Sequence, residues 1–205
     1  EWFLNHLSTF WSYYKGVGRF DAETMTKEIL EISELVEMIV LDHLHYVDAR
    51  DGDNENKSLS RIAHTLRDIA LGVGRPVIAV AHVRKRSGGV DKTLLPDEDD
   101  LMGSSDLPKI ATQIIALAPA PFVDPPKWWM APTLISVVKD RRGGKDGLAA
   151  LVMFDKRNRS YTEEYTLGRL TKGGTAWEQL KASDVPAWAR GHRQSELEMA
   201  TTDAA

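Results

Sequence analysis

Two apolar runs that each end on a polar residue constrain the fold of this chain more than any other feature. The first run is Met38–Asp42 and the second is Pro76–His82. Continuous apolar runs of this length are typical of strands that are buried on both faces of a parallel sheet. Ligands bind at the carboxyl edge of such sheets, so Asp42 and His82 are predicted to mark a binding edge.

The clearest helical pattern of the chain lies between these two runs. Gly72 and Gly74 predict its end, and the order strand–helix–strand predicts a βαβ unit with parallel strands and a right-handed crossover. A second helix is predicted over residues 22–37, with Asp21 as its N-cap. The apolar positions of the clearest helix are Leu59, Ile62, Ala63, Leu66, Ile69 and Ala70.

Three further strands are predicted, over residues 110–118, 134–139 and 148–155. The segment Arg141–Gly144 between the last two predicts a hairpin. The predicted fold class is α/β, with a mostly parallel sheet flanked by helices and a C-terminal antiparallel hairpin.

The chain of 205 residues is predicted to hold one domain with additional segments at both ends. An N-terminal segment rich in aromatic residues covers residues 1–20, and the core covers residues 21–167. Periodicity weakens after Gly168, so residues 168–205 are predicted to form a partly disordered C-terminal extension. Because the chain begins with Glu1 rather than Met, we expect a fragment or a processed product.

Composition limits the partners and the setting of the chain. The net charge is -4, so any contact with nucleic acid must come from a local basic patch. The absence of cysteine excludes disulfides and thiolate metal sites, and it is compatible with the cytoplasm. No apolar run approaches the length of a membrane span, so no membrane partner is predicted.

Asp42 and His82 each have a functional and a structural interpretation. An aspartate at the end of a hydrophobic strand is how phosphate-transfer sites of the P-loop type hold Mg²⁺, and one carboxylate suffices because Mg²⁺ keeps its waters. The alternative is an aspartate that caps the next turn. His82 is interpreted as a sensor of a terminal phosphate, or else as a histidine that bonds a backbone carbonyl.

Two basic segments are candidates for contacts with phosphate. Arg84, Lys85, Arg86 and Lys92 lie in a loop with glycines, which suits single-stranded nucleic acid, although the acidic run 97–100 follows it. Lys139, Arg141 and Arg142 lie around the predicted hairpin tip, where an arginine can reach the nucleotide of a neighbouring subunit. In both segments the alternative is a solvated surface charge.

The phosphate-binding loop itself is missing from the sequence. No Gly-x-x-x-x-Gly-Lys-Ser/Thr motif occurs, because Lys145 after Gly143-Gly144 is followed by Asp146 and Gly173-Gly174 lacks the lysine. We therefore expect this chain alone not to bind ATP tightly.

Taken together, residues 35–162 resemble the RecA-like motor of ring-shaped replicative helicases. The resemblance includes both apolar runs and the helix between them. It is closer to the phage primase-helicase and mitochondrial Twinkle branch than to the DnaB-like branch. Met102–Leu107 is similar to the Gly-Ser element of that branch, and Val138–Gly144 followed by Leu151–Lys156 is similar to its finger hairpin.

This resemblance implies ATP and Mg²⁺ as cofactors, single-stranded DNA as partner, and a homo-oligomeric, hexameric ring. It implies Asp42 as the metal-side aspartate, His82 as the phosphate sensor, and Arg141 as an arginine finger acting in trans, with Lys139 as its companion. Arg142 is the alternative finger. The loop Arg84–Lys92 falls where the family contacts single-stranded DNA. The catalytic glutamate of the family is absent, and Pro108 and Lys109 stand where an arginine is usual.

Two other functions compete with the helicase. In the first alternative, the chain is part of a RecA-like recombination, clock or regulatory ATPase without unwinding activity. In the second, it is a non-catalytic RecA-like module that binds partners through its sheet or hairpin.

Overall fold

In a computed structural model, the described residues are 20–47, 54–83, 93–101, 105–143 and 147–186. They divide into two compact units, with the division between Ala81 and His82. The aromatic segment before Phe20, the basic loop Arg84–Lys92 and the tail after Pro186 lie outside the described residues, so the predictions made for them stay predictions.

Helix α1 of the first unit, Ala22–Ile32, begins at the cap that the sequence predicted. The Asp21 carboxylate accepts hydrogen bonds from the backbone N–H of Thr24 at 3.0 Å and from its hydroxyl at 2.9 Å. The helix ends earlier than the predicted residue 37, because both the N–H and the hydroxyl of Ser33 bond to the Leu30 carbonyl.

Helix α2, Glu55–Val73, is the helix that the apolar periodicity predicted. The Asn54 side chain caps its start by accepting from Lys57 N at 2.9 Å, and Gly74 ends it with a left-handed φ of 66°. The helix packs against α1, which contributes Met25 and Ile29. The periodic positions of α2 that are buried are Leu59, Ile62, Ala63, Leu66 and Ile69.

Strands β1, Ile39–Leu41, and β2, Val77–Ala79, form a two-stranded parallel sheet. Ile39 pairs with Val77 and Leu41 pairs with Ala79, which confirms the predicted βαβ unit. The prediction that both faces are buried is wrong for the described residues: Ile39 is buried, but Val40 is 58% exposed and Ile78 is 49% exposed. These two residues pair with each other, so the exposed apolar side chains of the pair lie on the same face of the sheet.

The second unit is built on a five-stranded antiparallel sheet in the order β3-β4-β5-β6-β7. A short helix, α3 (Asp106–Ile110), precedes it. Its strands are β3 (Gln113–Pro119), β4 (Met130–Asp140), β5 (Leu148–Asp155), β6 (Ser160–Thr171) and β7 (Ala176–Gln179).

The prediction of a mostly parallel sheet is therefore wrong for the described residues, although the mixed α/β class and the β4–β5 hairpin are confirmed. The physical reason lies in the connections. The strands of the second unit follow one another through loops too short for the crossover that a parallel pair needs, so neighbours must run antiparallel.

Strands β6 and β7 were not predicted at all. Both are partly solvated, and β6 carries polar residues in succession, so strict apolar alternation is lost. Their buried residues include Thr166 and Leu167 of β6 and Trp177 of β7. Trp177 packs over one face of the sheet and donates its indole N–H to the Ala149 carbonyl at 3.3 Å. The core on that face comprises Leu95, Ala116, Ala120, Leu134, Ala149, Leu151 and Trp177.

The turn between β5 and β6 is organised by Asp155, the last residue of β5. Its carboxylate is nearly buried and accepts three hydrogen bonds from Arg157, from the backbone N at 2.9 Å, Nη2 at 2.9 Å and Nε at 3.2 Å. The hydrogen bonds from the Arg157 side chain lower the pKa of Asp155 to about 2.

Asp155→Asn is expected to lower the melting temperature at neutral pH and to weaken its acid dependence. Because the pKa of Asp155 is lower in the folded chain than in the unfolded one, its stabilisation is present above about pH 4 and is lost as the pH falls towards about 2. Thermal melts between about pH 5 and pH 2 test this. Asp184→Asn, which removes an exposed carboxylate, is the control. Parallel pH profiles of wild type and Asp155→Asn would contradict the assignment.

No helix among the described residues is long and apolar enough to cross a bilayer.

Candidate functional site

Asp42 lies directly after β1, at the carboxyl end of the parallel pair. Backbone hydrogen bonds continue the pairing past both strands: Val80 N donates to Leu41 O at 2.9 Å, and Leu44 N donates to Val80 O at 3.0 Å. The Asp42 side chain is exposed. The backbone thus presents this carboxylate at the sheet edge where ligands of open α/β folds bind.

The capping interpretation of Asp42 finds no support in the local geometry. The short 3₁₀ turn that follows, Leu44–Tyr46, has His43 as its N-cap and no side-chain cap hydrogen bond. Within the described part of the chain, the Asp42 carboxylate makes no hydrogen bond or ion pair. Its oxygens therefore remain available for the aqua ligands or the first shell of a hard cation such as Mg²⁺.

His82 opens the second unit. It is exposed, and the next residue, Val83, forms an isolated antiparallel bridge with Leu101. The strand that leads to His82 is the parallel neighbour of the strand that leads to Asp42, which confirms the predicted parallel pairing of these two strands. The prediction that both side chains serve the same phosphate remains a prediction.

Lys139 and Arg141 flank the start of the β4–β5 turn and both contact the carboxyl-terminal half of α3. Lys139 Nζ donates to the Pro108 carbonyl and lies 3.7 Å from Glu98 Oε2, and its side chain is only 17% exposed. Arg141 Nη2 donates to the Lys109 carbonyl, and its backbone N–H donates to Thr112 O at 3.0 Å. These contacts hold both cations against α3.

Asp140 shapes the turn that carries Arg141 and Arg142. Its Oδ1 accepts the backbone N–H of Arg142 at 2.8 Å, and backbone hydrogen bonds from Arg142 and Gly143 lower the pKa of its carboxyl group. A Cβ on Gly143 would lie 2.9 Å from Asp140 Oδ2, so a larger residue there would push the Asp140 carboxylate aside. Arg141 and Arg142 are both exposed at the turn, and Arg141 is the one of the two that contacts α3.

Sequence reasoning missed Asp140 and Gly143 as residues that position the arginines. Aspartate followed by glycine around a predicted hairpin is a turn signal, so both could have been found. The carbonyl partners on Pro108 and Lys109 carry no such signal, because any residue type supplies a backbone oxygen.

Part of the predicted site lies outside the described residues. The DNA-contact residues Arg84, Lys85, Arg86 and Lys92 fall there, as do Met102–Ser104 of the Gly-Ser element. Their assignments stay predictions.

The chain matches the family described as DnaB-like helicase C terminal domain over residues 15–163. It therefore belongs to the DnaB-like helicase C-terminal domain family, which confirms the resemblance to RecA-like ring helicases. No curated protein matches the chain.

The solved structures that are similar to this chain include two helicase-related ones. One, described as "The Structure Of A DnaB-Like Replicative Helicase And Its Interactions With Primase", is 15% identical with a TM-score of 0.53, and the match covers 82% of this chain and 37% of that one. The other, described as an ATPase domain, is also 15% identical, with a TM-score of 0.45 and coverage of 78% and 52%. The first shows a shared fold. The chain spans little more than a third of its length.

Proposed function

We propose that this chain is the C-terminal part of the motor of an ATP-dependent, hexameric replicative DNA helicase. Membership of the DnaB-like family supports this proposal most directly. The placement of an exposed, unpaired carboxylate at the carboxyl edge of the parallel pair supports the nucleotide site in particular.

Asp42 would hold Mg²⁺ beside ATP, directly or through a water. Mg²⁺, when bound, neutralises the charge that develops on the transferred phosphate. The loop that cradles the phosphates would come from upstream in a longer parent polypeptide, since residues 1–205 contain no such motif. His82 would donate a hydrogen bond to the terminal phosphate and respond to its loss.

The hairpin arginines would complete the nucleotide site of a neighbouring subunit. Arg141 would neutralise charge on the transferred phosphate in trans, with Lys139 as companion and Arg142 as the alternative finger. The observed contacts to the Pro108 and Lys109 carbonyls support a positioned cation, because they limit the freedom of both side chains. Such a site needs two subunits, which is why we propose a ring.

Loss of the terminal phosphate would move the loop Arg84–Lys92 along single-stranded DNA. Coupling between the nucleotide site and this loop is a free-energy linkage between two sites. We place this activity in the cytoplasm of a bacterial or phage-infected cell, where a replicative helicase meets its DNA.

The triple variant Arg84→Ala, Lys85→Ala, Arg86→Ala of the full-length parent is expected to bind single-stranded DNA at least about tenfold more weakly. Each lost phosphate contact reduces the slope of log affinity against log salt by about 0.7, so the slope should fall by about two. Titration of a labelled oligonucleotide at several salt concentrations measures both quantities.

The matched control replaces three exposed lysines elsewhere, Lys27, Lys172 and Lys181, with alanine. It should bind like the wild type. Unchanged affinity and slope in the loop variant would remove the support for translocation and would favour a RecA-like ATPase that does not unwind DNA.

A further inference from the structure

A surface with exposed aromatic and basic groups lies at the end of the antiparallel sheet that is opposite the Arg141 hairpin. It comprises the segment before β4 and the turn between β5 and β6, and we call it the Trp128 surface. The two segments are joined, since Lys156 N donates to Trp129 O at 3.0 Å and Met130 pairs with Asp155. Its members are Lys127, Trp128, Trp129, Lys156, Arg157 and Arg159.

Trp128 is the most exposed large aromatic group of the described residues, at 81%. Its ring meets the half-buried ring of Trp129 edge-on, with centroids 5.6 Å apart and an angle of 87°. A tryptophan left in water exposes a large apolar area that folding could have buried. This ring is therefore available to a partner that offers a flat aromatic surface.

Trp129 contacts two cations of the Trp128 surface. The Arg157 guanidinium lies 4.3 Å from its ring centroid, and Lys127 Nζ lies 5.3 Å from it, so two cations contact one indole. Arg157 is in turn fixed by the Asp155 carboxylate at 2.9 Å. Trp129, which Trp128 contacts, is therefore held in place by Arg157 and Lys127.

The charge around Trp128 is predominantly positive. Asp155 neutralises Arg157, which leaves Lys127, Lys156 and Arg159 as exposed cations. Asp124 and Glu163 are the nearest exposed acids along the same segments. The excess charge favours an anionic partner.

We propose that the Trp128 surface binds single-stranded nucleic acid, with a base stacked on Trp128 and phosphates held by Lys127, Lys156 and Arg159. Aromatic platforms flanked by cations bind single strands without sequence preference, because every base has a stacking face. A protein partner fits less well, because two of the three exposed cations around Trp128 are lysines and lysine is depleted in protein interfaces.

This proposal goes beyond the proposed function. The Trp128 surface would bind a strand whether or not the chain is part of a motor, and it is separate in sequence from the loop Arg84–Lys92.

The test measures binding of a fluorescein-labelled oligo-dT of about 16 nucleotides to the 205-residue chain at about 50 mM salt. Trp128→Ala is expected to weaken binding about tenfold, and Trp128→Phe should retain most of the affinity because a stacking face remains. Since Trp128 is exposed, its replacement should leave the melting temperature unchanged, and thermal melts check this.

A second variant tests the charges. Lys127→Ala with Lys156→Ala and Arg159→Ala should lower the salt slope by about two, whereas the control with Lys27, Lys172 and Lys181 replaced by alanine should not change it. Photocrosslinking to bromodeoxyuridine oligonucleotides should label the peptide that contains Trp128.

Wild-type affinity in Trp128→Ala, or no measurable binding by the wild-type chain, would overturn this proposal. The loop variant separates it from the proposed function. If Arg84→Ala, Lys85→Ala, Arg86→Ala weakens binding and Trp128→Ala does not, the Trp128 surface is refuted and the helicase loop stands. The reverse result refutes the loop assignment and supports the Trp128 surface.

Discussion

Gly168→Ala is expected to destabilise the second unit by about 3 kcal/mol. A Cβ on Gly168 would lie 2.2 Å from Cε2 and 2.4 Å from Nε1 of Trp177, well inside van der Waals contact. The indole cannot easily move away, because it is 7% exposed and its N–H is bonded to the Ala149 carbonyl. The added methyl group therefore forces either a backbone shift in β6 or the loss of a buried hydrogen bond.

Denaturant unfolding followed by tryptophan fluorescence measures the effect of Gly168→Ala. Gly72→Ala is the matched control, because a Cβ there meets nothing within 4 Å and helix α2 should gain about 0.5–1 kcal/mol from the better helix former. Trp177→Leu should cost stability alone but make Gly168→Ala nearly neutral in the double variant. Additive effects of the two substitutions would contradict the steric explanation.

The first unit could be predicted largely from its sequence because its signals are local. Apolar periodicity marked the buried face of α2, Asp21 marked the start of α1, and two apolar runs on either side of α2 implied parallel strands. Helix caps and periodic faces depend on residues within one or two turns, so no knowledge of distant contacts is needed.

The second unit shows where such reasoning fails. Strands β6 and β7 are held by pairing across the sheet and by one tryptophan over Gly168, which are non-local contacts without a periodic signature. The exposure of Val40 and Ile78 also had no signal, since an apolar run does not state what covers it. Tertiary context decides the packing of strands more than local propensity does.

In the candidate site too, features with local sequence signals could be predicted and non-local contacts could not. The strand before Asp42 and the hairpin with Arg141 and Arg142 could be located from local patterns, and the order of the motifs pointed to the helicase family that the family match then confirmed. The partners of Lys139 and Arg141 are backbone carbonyls of α3, about thirty residues away in sequence, and only the folded chain brings them together.

Asp42→Asn and Arg141→Ala are each expected to abolish most ATP hydrolysis by the full-length parent, with an effect of about a thousandfold for the arginine. In the proposed site, Asp42→Asn would remove the charge that holds Mg²⁺, while Arg141→Ala would remove the cation that stabilises the transferred phosphate in a neighbouring subunit. Both residues are exposed, so the subunits should still fold and assemble. Light scattering of each variant, with Lys181→Ala as an exposed-cation control, checks this.

The proposed nucleotide site combines Asp42 of one subunit with Arg141 of the next, so a mixture of the two inactive variants should regain activity. With equal amounts and random assembly, about a quarter of the interfaces contain both intact residues, so single-strand-stimulated hydrolysis should recover to about that fraction of the wild type. A mixture that stays as inactive as its components, after exchange of subunits has been verified by fluorescence transfer, would contradict a nucleotide site shared between two subunits.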